Sequence, residues 1–194
     1  LYKVFGINAE LLIDHAWGRE SCQISDIKKY KPKSKSVSFS QILPRDYAYE
    51  EAKTVIIEMA YHGCQELLKR KVITKKIWVG IGYSREQHES TGASVKLFNA
   101  TALPSKVRPA VEKAFNDAAI RNSPIRRLAI SFGDVCDEGC EGYDLFTDWN
   151  SVEKEKSREK AVLEIKERFG KNAVLRGVNF SEGATQRERN EMIG

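Results

Sequence analysis

Few residues in this sequence have the types and spacings that make or break bonds. The four cysteines, Cys22, Cys64, Cys136 and Cys140, are scattered except for the last two, which have three residues between them. A structural zinc site takes four Cys or His ligands, as a rule in two close pairs, and His15, His62 and His88 supply no second pair. The cysteines read as reduced thiols of a reducing compartment. Acids are densest in residues 134–148, where Asp134, Asp137, Glu138, Glu141, Asp144 and Asp148 occur without a base. Two-metal phosphoryl chemistry needs carboxylates clustered in a strand-rich context, so that two ions sit a few ångströms apart. This acidic stretch is instead loop-like and interleaved with apolar residues. The sequence therefore points to no catalytic residue, no metal ligand and no cofactor in this chain.

The remaining polar chemistry suits a polyanion. Residues 28–35 hold Lys28, Lys29, Lys31, Lys33 and Lys35 with no acid among them. Directly after comes strict alternation, Ser36, Val37, Ser38, Phe39 and Ser40, the period of a half-buried strand. Two further segments alternate in the same way. In one, Ile77, Val79, Ile81 and Tyr83 share a face opposite Trp78, Gly80, Gly82 and Ser84. In the other, Val95 and Leu97 oppose Ser94, Lys96 and Phe98. A fourth strand is expected at 125–133, with Leu128, Ile130 and Phe132 inward and Arg127, Ala129 and Ser131 outward. Helical periodicity falls between them, over 48–70 (Val55, Ile56, Met59, Ala60, Cys64, Leu67, Leu68) and 105–121 (Val107, Val111, Ala114, Phe115, Ala118).

The resulting order, β-α-β-β-α-β, predicts an α+β fold in which two helices cover one face of a four-stranded antiparallel sheet and leave the other face open. The open face is small, polar and basic, almost without acids. Small side chains let backbone N–H groups and hydroxyls approach phosphate oxygens, and lysine and arginine supply charge. The candidate nucleic-acid contacts are Lys31, Lys33, Lys35, Ser36, Ser38, Ser40, Ser84, Arg85, Ser94, Lys96 and Arg127. Exposed aromatics for stacking bases are limited to Trp78 and Phe98, so the face suits sequence-independent tracking of a duplex backbone better than base readout.

The flanks are different in character. Leu1, Val4 and Phe5 form an apolar stripe ended by Gly6, and Asn8 is placed to cap a second short helix carrying Leu11, Leu12, Ala16 and Trp17 before Gly18. Two such helices cannot bury their apolar faces alone, and they read as the remnant of a helical subdomain continued upstream. In the acidic segment, Tyr143, Leu145, Phe146 and Trp149 form an isolated apolar cluster of the kind found in docking peptides. Ser151 is the expected cap of a charged helix over 151–169 with an apolar stripe of Val162, Ile165 and Phe169. Beyond Gly170 there is one short apolar stretch and then a polar, strongly charged end. Of the 194 residues 41% are hydrophobic and 30% charged, with a net charge of +5, enough apolar mass for a core and no run long enough to span a membrane.

Taken in order, "LYKVFGINAELLIDHAWG", "KSKSVSFSQILPRDY", "AVLEIKERFGKNAVLRG" and "GATQRERNEMIG" resemble the C-terminal part of a Y-family translesion DNA polymerase, of the UmuC-like ImpB/MucB/SamB type. The resemblance implies a domain plan: the end of a helical thumb (1–30), a basic linker (31–35), a little-finger DNA-binding domain (36–134), an acidic segment (135–150), and a C-terminal helix and tail (151–194). It implies sequence-independent binding of primer–template duplex in lesion bypass, DNA repair and SOS mutagenesis, in the bacterial cytoplasm at the nucleoid. Mg²⁺ is implied for the parent polymerase, in a palm domain whose acidic cluster this chain lacks. It also implies a sliding-clamp peptide at "GYDLF" (142–146), where Tyr143, Leu145 and Phe146 would dock, although Gly142 and Tyr143 depart from the family's opening Gln-Leu. The alternative is a non-enzymatic protein-interaction module built on a ferredoxin-like sheet, which would bind a protein without sensitivity to salt.

Overall fold

The computed structural model describes residues 1–20, 22–29, 36–84, 88–140 and 148–192. The chain forms two compact units, Leu1–Ser34 and Lys35–Gly194. The first holds three short helices, α1 (Tyr2–Phe5), α2 (Asn8–Ala16) and α3 (Ile24–Lys29), of which α3 was not expected. Gly6 and Gly18 take positive φ at the ends of α1 and α2 (56° and 68°), conformations that cost glycine nothing. Asn8 is the first helical residue of α2 and Ile7 occupies the cap position, so the expected Asn8 cap does not form. Only Ala9 is buried in these helices, while Val4, Ile7, Leu11, Trp17, Ile24 and Ile27 are exposed.

The second unit follows the expected β-α-β-β-α-β order through β1 (Val37–Tyr47), α4 (Tyr49–Lys69), β2 (Val72–Tyr83), β3 (Thr91–Thr101), α5 (Pro104–Ala118) and β4 (Ile125–Gly133). The sheet runs β1-β4-β2-β3 with antiparallel neighbours, and a two-residue β5 (Cys136–Asp137) pairs with the start of β2. Each helix therefore carries the chain between two parallel strands that are separated by a third, and the β1–β4 pair is the longest-range contact of the sheet. Two register shifts interrupt the edges. On β1 the ladder breaks between Ile42 and Tyr47, and on the β2–β3 side it breaks between Thr74 and Lys76.

Alternation decides which side meets the helices. Val37, Leu43, Ile77, Val79, Ile81, Leu128, Ile130 and Phe132 point inward and pack against Val55, Ile56, Met59, Leu67, Val107, Val111 and Phe115. Each fully buried side chain of this size contributes about 1.5–3 kcal/mol, which makes this layer the main source of stability. Helix α4 lies close to the sheet at Gly63, where a Cβ would stand 2.1 Å from Cε2 of Phe132.

The tail docks on this layer. Helix α6 (Trp149–Phe169) starts at Asp148, whose carboxylate accepts from the N–H groups of Asn150 and Ser151 (3.1 and 3.3 Å). Ser151 is thus a donor inside the first turn, and not the expected cap. The expected stripe is not what α6 buries either: its fully buried residues are Val152 and Glu159, while Ile165 and Phe169 are exposed. Glu159 is held by Arg176 (2.5 Å), whose guanidinium lies over the Tyr61 ring at 4.1 Å. Glu155 accepts from both the N–H and the hydroxyl of Ser105 at the start of α5 (3.0 and 2.6 Å).

The segment after α6 forms a 3-10 turn at Gly177–Phe180 and ends in α7 (Gln186–Glu191). Its anchor is Glu58 of α4, only 2% exposed. That carboxylate accepts from Asn179 Nδ2 (2.7 Å), Thr185 N (2.7 Å), Gln186 N (3.1 Å) and Thr185 Oγ1 (3.4 Å). Gln41, inward-facing on edge strand β1, donates to Thr185 Oγ1 (2.9 Å) and accepts from Arg189 (2.8 Å). The tail therefore seals the opening between α4 and the β1 edge. Among the described residues no helix is long and apolar enough to cross a membrane.

Candidate nucleic-acid interface

The sheet face away from the helices is organised in rows by the register. Ser38, Ser131, Trp78 and Ser94 stand opposite one another on β1, β4, β2 and β3, and Ser40, Ala129, Gly80 and Gly92 form the next row. Ile42, Arg127 and Gly82 make a third. On the other side of the Trp78 row, Gly133, Lys76 and Lys96 face one another. No aspartate or glutamate occupies any of these row positions. Asp134, just past β4 at a positive φ of 49°, lies in a hollow shared with Ser36 and Lys76.

Each expected contact residue has a definite place. Ser36, Ser38, Ser40, Ser94, Lys96 and Arg127 are exposed, and the last five are outward on their strands. Ser38 donates to Ser131 Oγ at 2.8 Å, so these two hydroxyls engage each other across the β1–β4 ladder. Ser84 lies just past the end of β2 and is half-buried, with its N–H donating to the Pro124 carbonyl at 3.3 Å. Lys31, Lys33, Lys35 and Arg85, and with them the basic linker, lie outside the described residues, as do Tyr143, Leu145 and Phe146.

Two features of the face were missed in the sequence. Lys76 is outward and directly opposite Lys96, and its parity with Trp78 was the signal that would have found it. The glycines play another part than the one expected. A Cβ on Gly80 would stand 2.3 Å from Cη2 of Trp78, and one on Gly92 would stand 3.0 Å from Nε1 and Cζ2 of the same ring. The indole thus reclines across β2 and β3 on a bed of two glycines. Gly80 is buried beneath it and offers no backbone to a ligand. Gly82 stays closer to expectation, with the stem of Arg127 crossing it at 3.1 Å from where a Cβ would be.

Among the described residues Lys76, Lys96 and Arg127 make no ion pair, whereas several cations elsewhere in the unit have one: Arg45 with Glu51, Lys69 with Glu167 (3.2 Å), Arg108 with Glu112 (2.7 Å) and Lys113 with Asp117 (2.9 Å). A hollow of about 320 Å³ between α4, α6 and the tail carries both signs, including Glu66, Glu167, Lys166 and Lys171. Burial, and then Arg176, holds the Lys166 ammonium below the usual lysine range. Its charges are largely matched within the fold, unlike those of the open face. No three His, Cys, Asp or Glu side chains among the described residues are grouped to hold a metal ion.

The whole chain is 26% identical to UvrX, a protein named for UV-damage repair, of Bacillus subtilis (strain 168), and 26% identical to DNA polymerase IV 2 of the same organism. It spans 46% of the length of each, about half. The little finger domain of PolIV, solved in complex with the β-clamp processivity factor, covers 58% of this chain and 99% of its own at 11% identity, with a TM-score of 0.41. Residues 34–145 match the impB/mucB/samB family C-terminal domain. The sheet with its open basic face falls within that match, and the chain belongs to the impB/mucB/samB family through its C-terminal domain.

Proposed function

We propose that this chain holds duplex primer–template DNA by its phosphate backbone, as the little finger of a lesion-bypass polymerase, using the open face of the sheet. The observation that carries this reading is the Lys76–Lys96 pair. Like charges directly opposite on antiparallel strands lie about 5 Å apart at Cβ and destabilise the sheet. An ion-paired acid would remove that cost, and among the described residues neither lysine forms an ion pair, although Asp134 lines the same hollow as Lys76. A phosphate bridging the two would do the same. Arg127, at the other end of the face, extends the positive strip, and the serine row between keeps it low enough for a rigid duplex to approach.

Such contacts read charge and spacing, not sequence. In this reading nucleotide transfer and its two Mg²⁺ belong to a palm domain of the whole polymerase. Lys31, Lys33, Lys35 and Arg85 supply further phosphate contacts, and Tyr143, Leu145 and Phe146 dock on the sliding clamp.

Fluorescence anisotropy of labelled primer–template tests the proposal. Neutralising ~4–6 phosphates gives a log–log salt slope of about −4 to −5, and changing Lys76 and Lys96 together to Ala should make it shallower by ~2. Affinity should not depend on duplex sequence. A response to salt that is flat in the wild type would overturn the reading.

A further inference from the structure

Trp78 does not fit a face that only tracks phosphates. A phosphate strip gains nothing from a large apolar ring at its centre, and the ring is 41% exposed. Nor does the indole fill the core, because it lies on the outward side, at the middle of its row, between Ser131 and Ser94. Glycine in a strand interior weakens the strand, and here two glycines face each other on β2 and β3. Their absent side chains are what allow the indole to lie down (a Cβ at Gly80 would overlap it at 2.3 Å). A reclined ring is held against the sheet before any ligand arrives, so little rotamer freedom is left to lose on binding.

Its surroundings are low on both sides and cationic at the edge. A hollow of about 360 Å³ adjoins the ring on the side of Ser38, Ser40 and Ala129, and another of about 320 Å³ on the side of Ser36, Lys76, Gly133 and Asp134. Lys76 and Lys96 share one row next to it. A flat π surface with ammonium groups alongside is the combination that binds single-stranded nucleic acid, by stacking of bases and attraction of the backbone. Paired bases inside a duplex cannot reach such a platform, whereas an unpaired base can.

We infer that Trp78 is a stacking platform for an unpaired nucleobase, so that the open face recognises a junction of duplex and single strand and not duplex alone. This deepens the reading given under Proposed function and depends on it. The charge of the flanking lysines selects an anionic strand over a neutral aromatic ligand.

The test compares three DNA probes of equal duplex length by anisotropy: blunt, with a 5′ overhang of thymidines, and with an overhang of abasic sugars. Wild type should prefer the thymidine overhang to the blunt duplex, and Trp78→Ala should weaken binding to it by ~5- to 150-fold, the range for losing one stacked base. Binding to blunt and abasic probes should be nearly unchanged, and Trp78→Phe should retain part of the preference. A second readout needs no change at Trp78. In a Trp17→Phe, Trp149→Phe background, emission from Trp78 should be quenched by the thymidine overhang and not by the abasic one. Equal affinity of wild type for all three probes, without quenching, would overturn the stacking platform and leave duplex binding intact. Failure to bind any probe would overturn both readings.

Discussion

Replacing Glu58 by alanine should release the C-terminal tail from the domain. The carboxylate is 2% exposed and accepts four hydrogen bonds from residues 121 to 128 positions away. Without it, Asn179 Nδ2, Thr185 N and Gln186 N lose their acceptor, in a site where Asn179 and Thr185 are themselves buried. An unsatisfied buried donor costs about 1–3 kcal/mol. Three of them set an upper range that the tail can escape only by leaving the site, and leaving forfeits its burial and the Gln41–Thr185 and Gln41–Arg189 bonds. The expected loss is ~3–5 kcal/mol, the range for breaking a buried polar network around a charge. Glu58→Gln keeps one acceptor oxygen but turns an NH₂ toward backbone donors, so it should fall between wild type and alanine.

Urea unfolding gives the stability change. Hydrogen exchange shows where it arises, because a tail that opens on its own exchanges ahead of the core. The amides of Thr185 and Gln186 should lose protection in the alanine variant while those of β2 and β4 keep theirs. Wild-type protection at Thr185 and Gln186, with a stability change under ~1 kcal/mol, would refute the role given to Glu58.

Two further outcomes follow from the core. Gly63→Ala should destabilise by ~1–3 kcal/mol or more, because the new methyl meets the Phe132 ring at 2.1 Å; a glycine-to-alanine change at an exposed helix site would have the opposite sign, about 1 kcal/mol stabilising, so the sign of the shift in thermal or urea unfolding decides. His62 stacks edge-on against Phe39 at 4.9 Å, and burial above all holds its imidazole below the usual histidine range, with Arg189, Lys166 and Lys171 acting in the same sense and Glu66 against it. The unfolded chain takes up that proton near pH 6.5 and the folded chain only at lower pH, so the His62 contribution is present above about pH 6.5 and is lost as pH falls through the folded value. The stability difference between wild type and His62→Gln should therefore shrink on going from pH 7 to 5, and a constant difference would refute it.

The strands and helices were legible because their signals are local. Val37 to Ser40 and Ile77 to Tyr83 alternate without interruption, and α4 repeats its apolar residues at helical spacing from Val55 to Leu68. The order of strands was not legible, since β1 and β2 flank β4 only once the chain has closed over more than eighty residues. Pro44, Arg45 and Asp46 hide the far end of β1, because the register shift there breaks the period that announces a strand. The tail was opaque for a related reason. Its contacts are hydrogen bonds between single polar side chains far apart in sequence, and such bonds leave no periodic trace. One sign was present: Glu58 is an isolated acid inside "VIIEMA", and an acid in an apolar run needs a buried partner or a solvent-facing position. On the open face the glycines were visible, but their use was not. Gly80 and Gly92 read as small residues that admit a ligand until the indole between them is placed.

The stabilising core and the proposed binding face lie on opposite sides of this sheet, and the Lys76–Lys96 pair offers a way to tell their roles apart. Glu58, Gln41 and Thr185 close the helical layer at the β1 edge, whereas Lys76, Lys96, Arg127 and Trp78 stand on the outward side. Two opposed ammonium groups about 6 Å apart in water repel by ~0.7 kcal/mol, and no ion pair among the described residues offsets it, although Asp134 lines a hollow with Lys76. Neutralising one of them should leave the fold as stable as before or slightly more so, and should weaken DNA binding. A pair kept for structure would behave in the opposite way, losing stability when either member is removed. If Lys76→Ala lowered the urea midpoint and left the salt slope of DNA binding unchanged, the two lysines would belong to the fold, and the phosphate strip would have to be sought elsewhere on the chain.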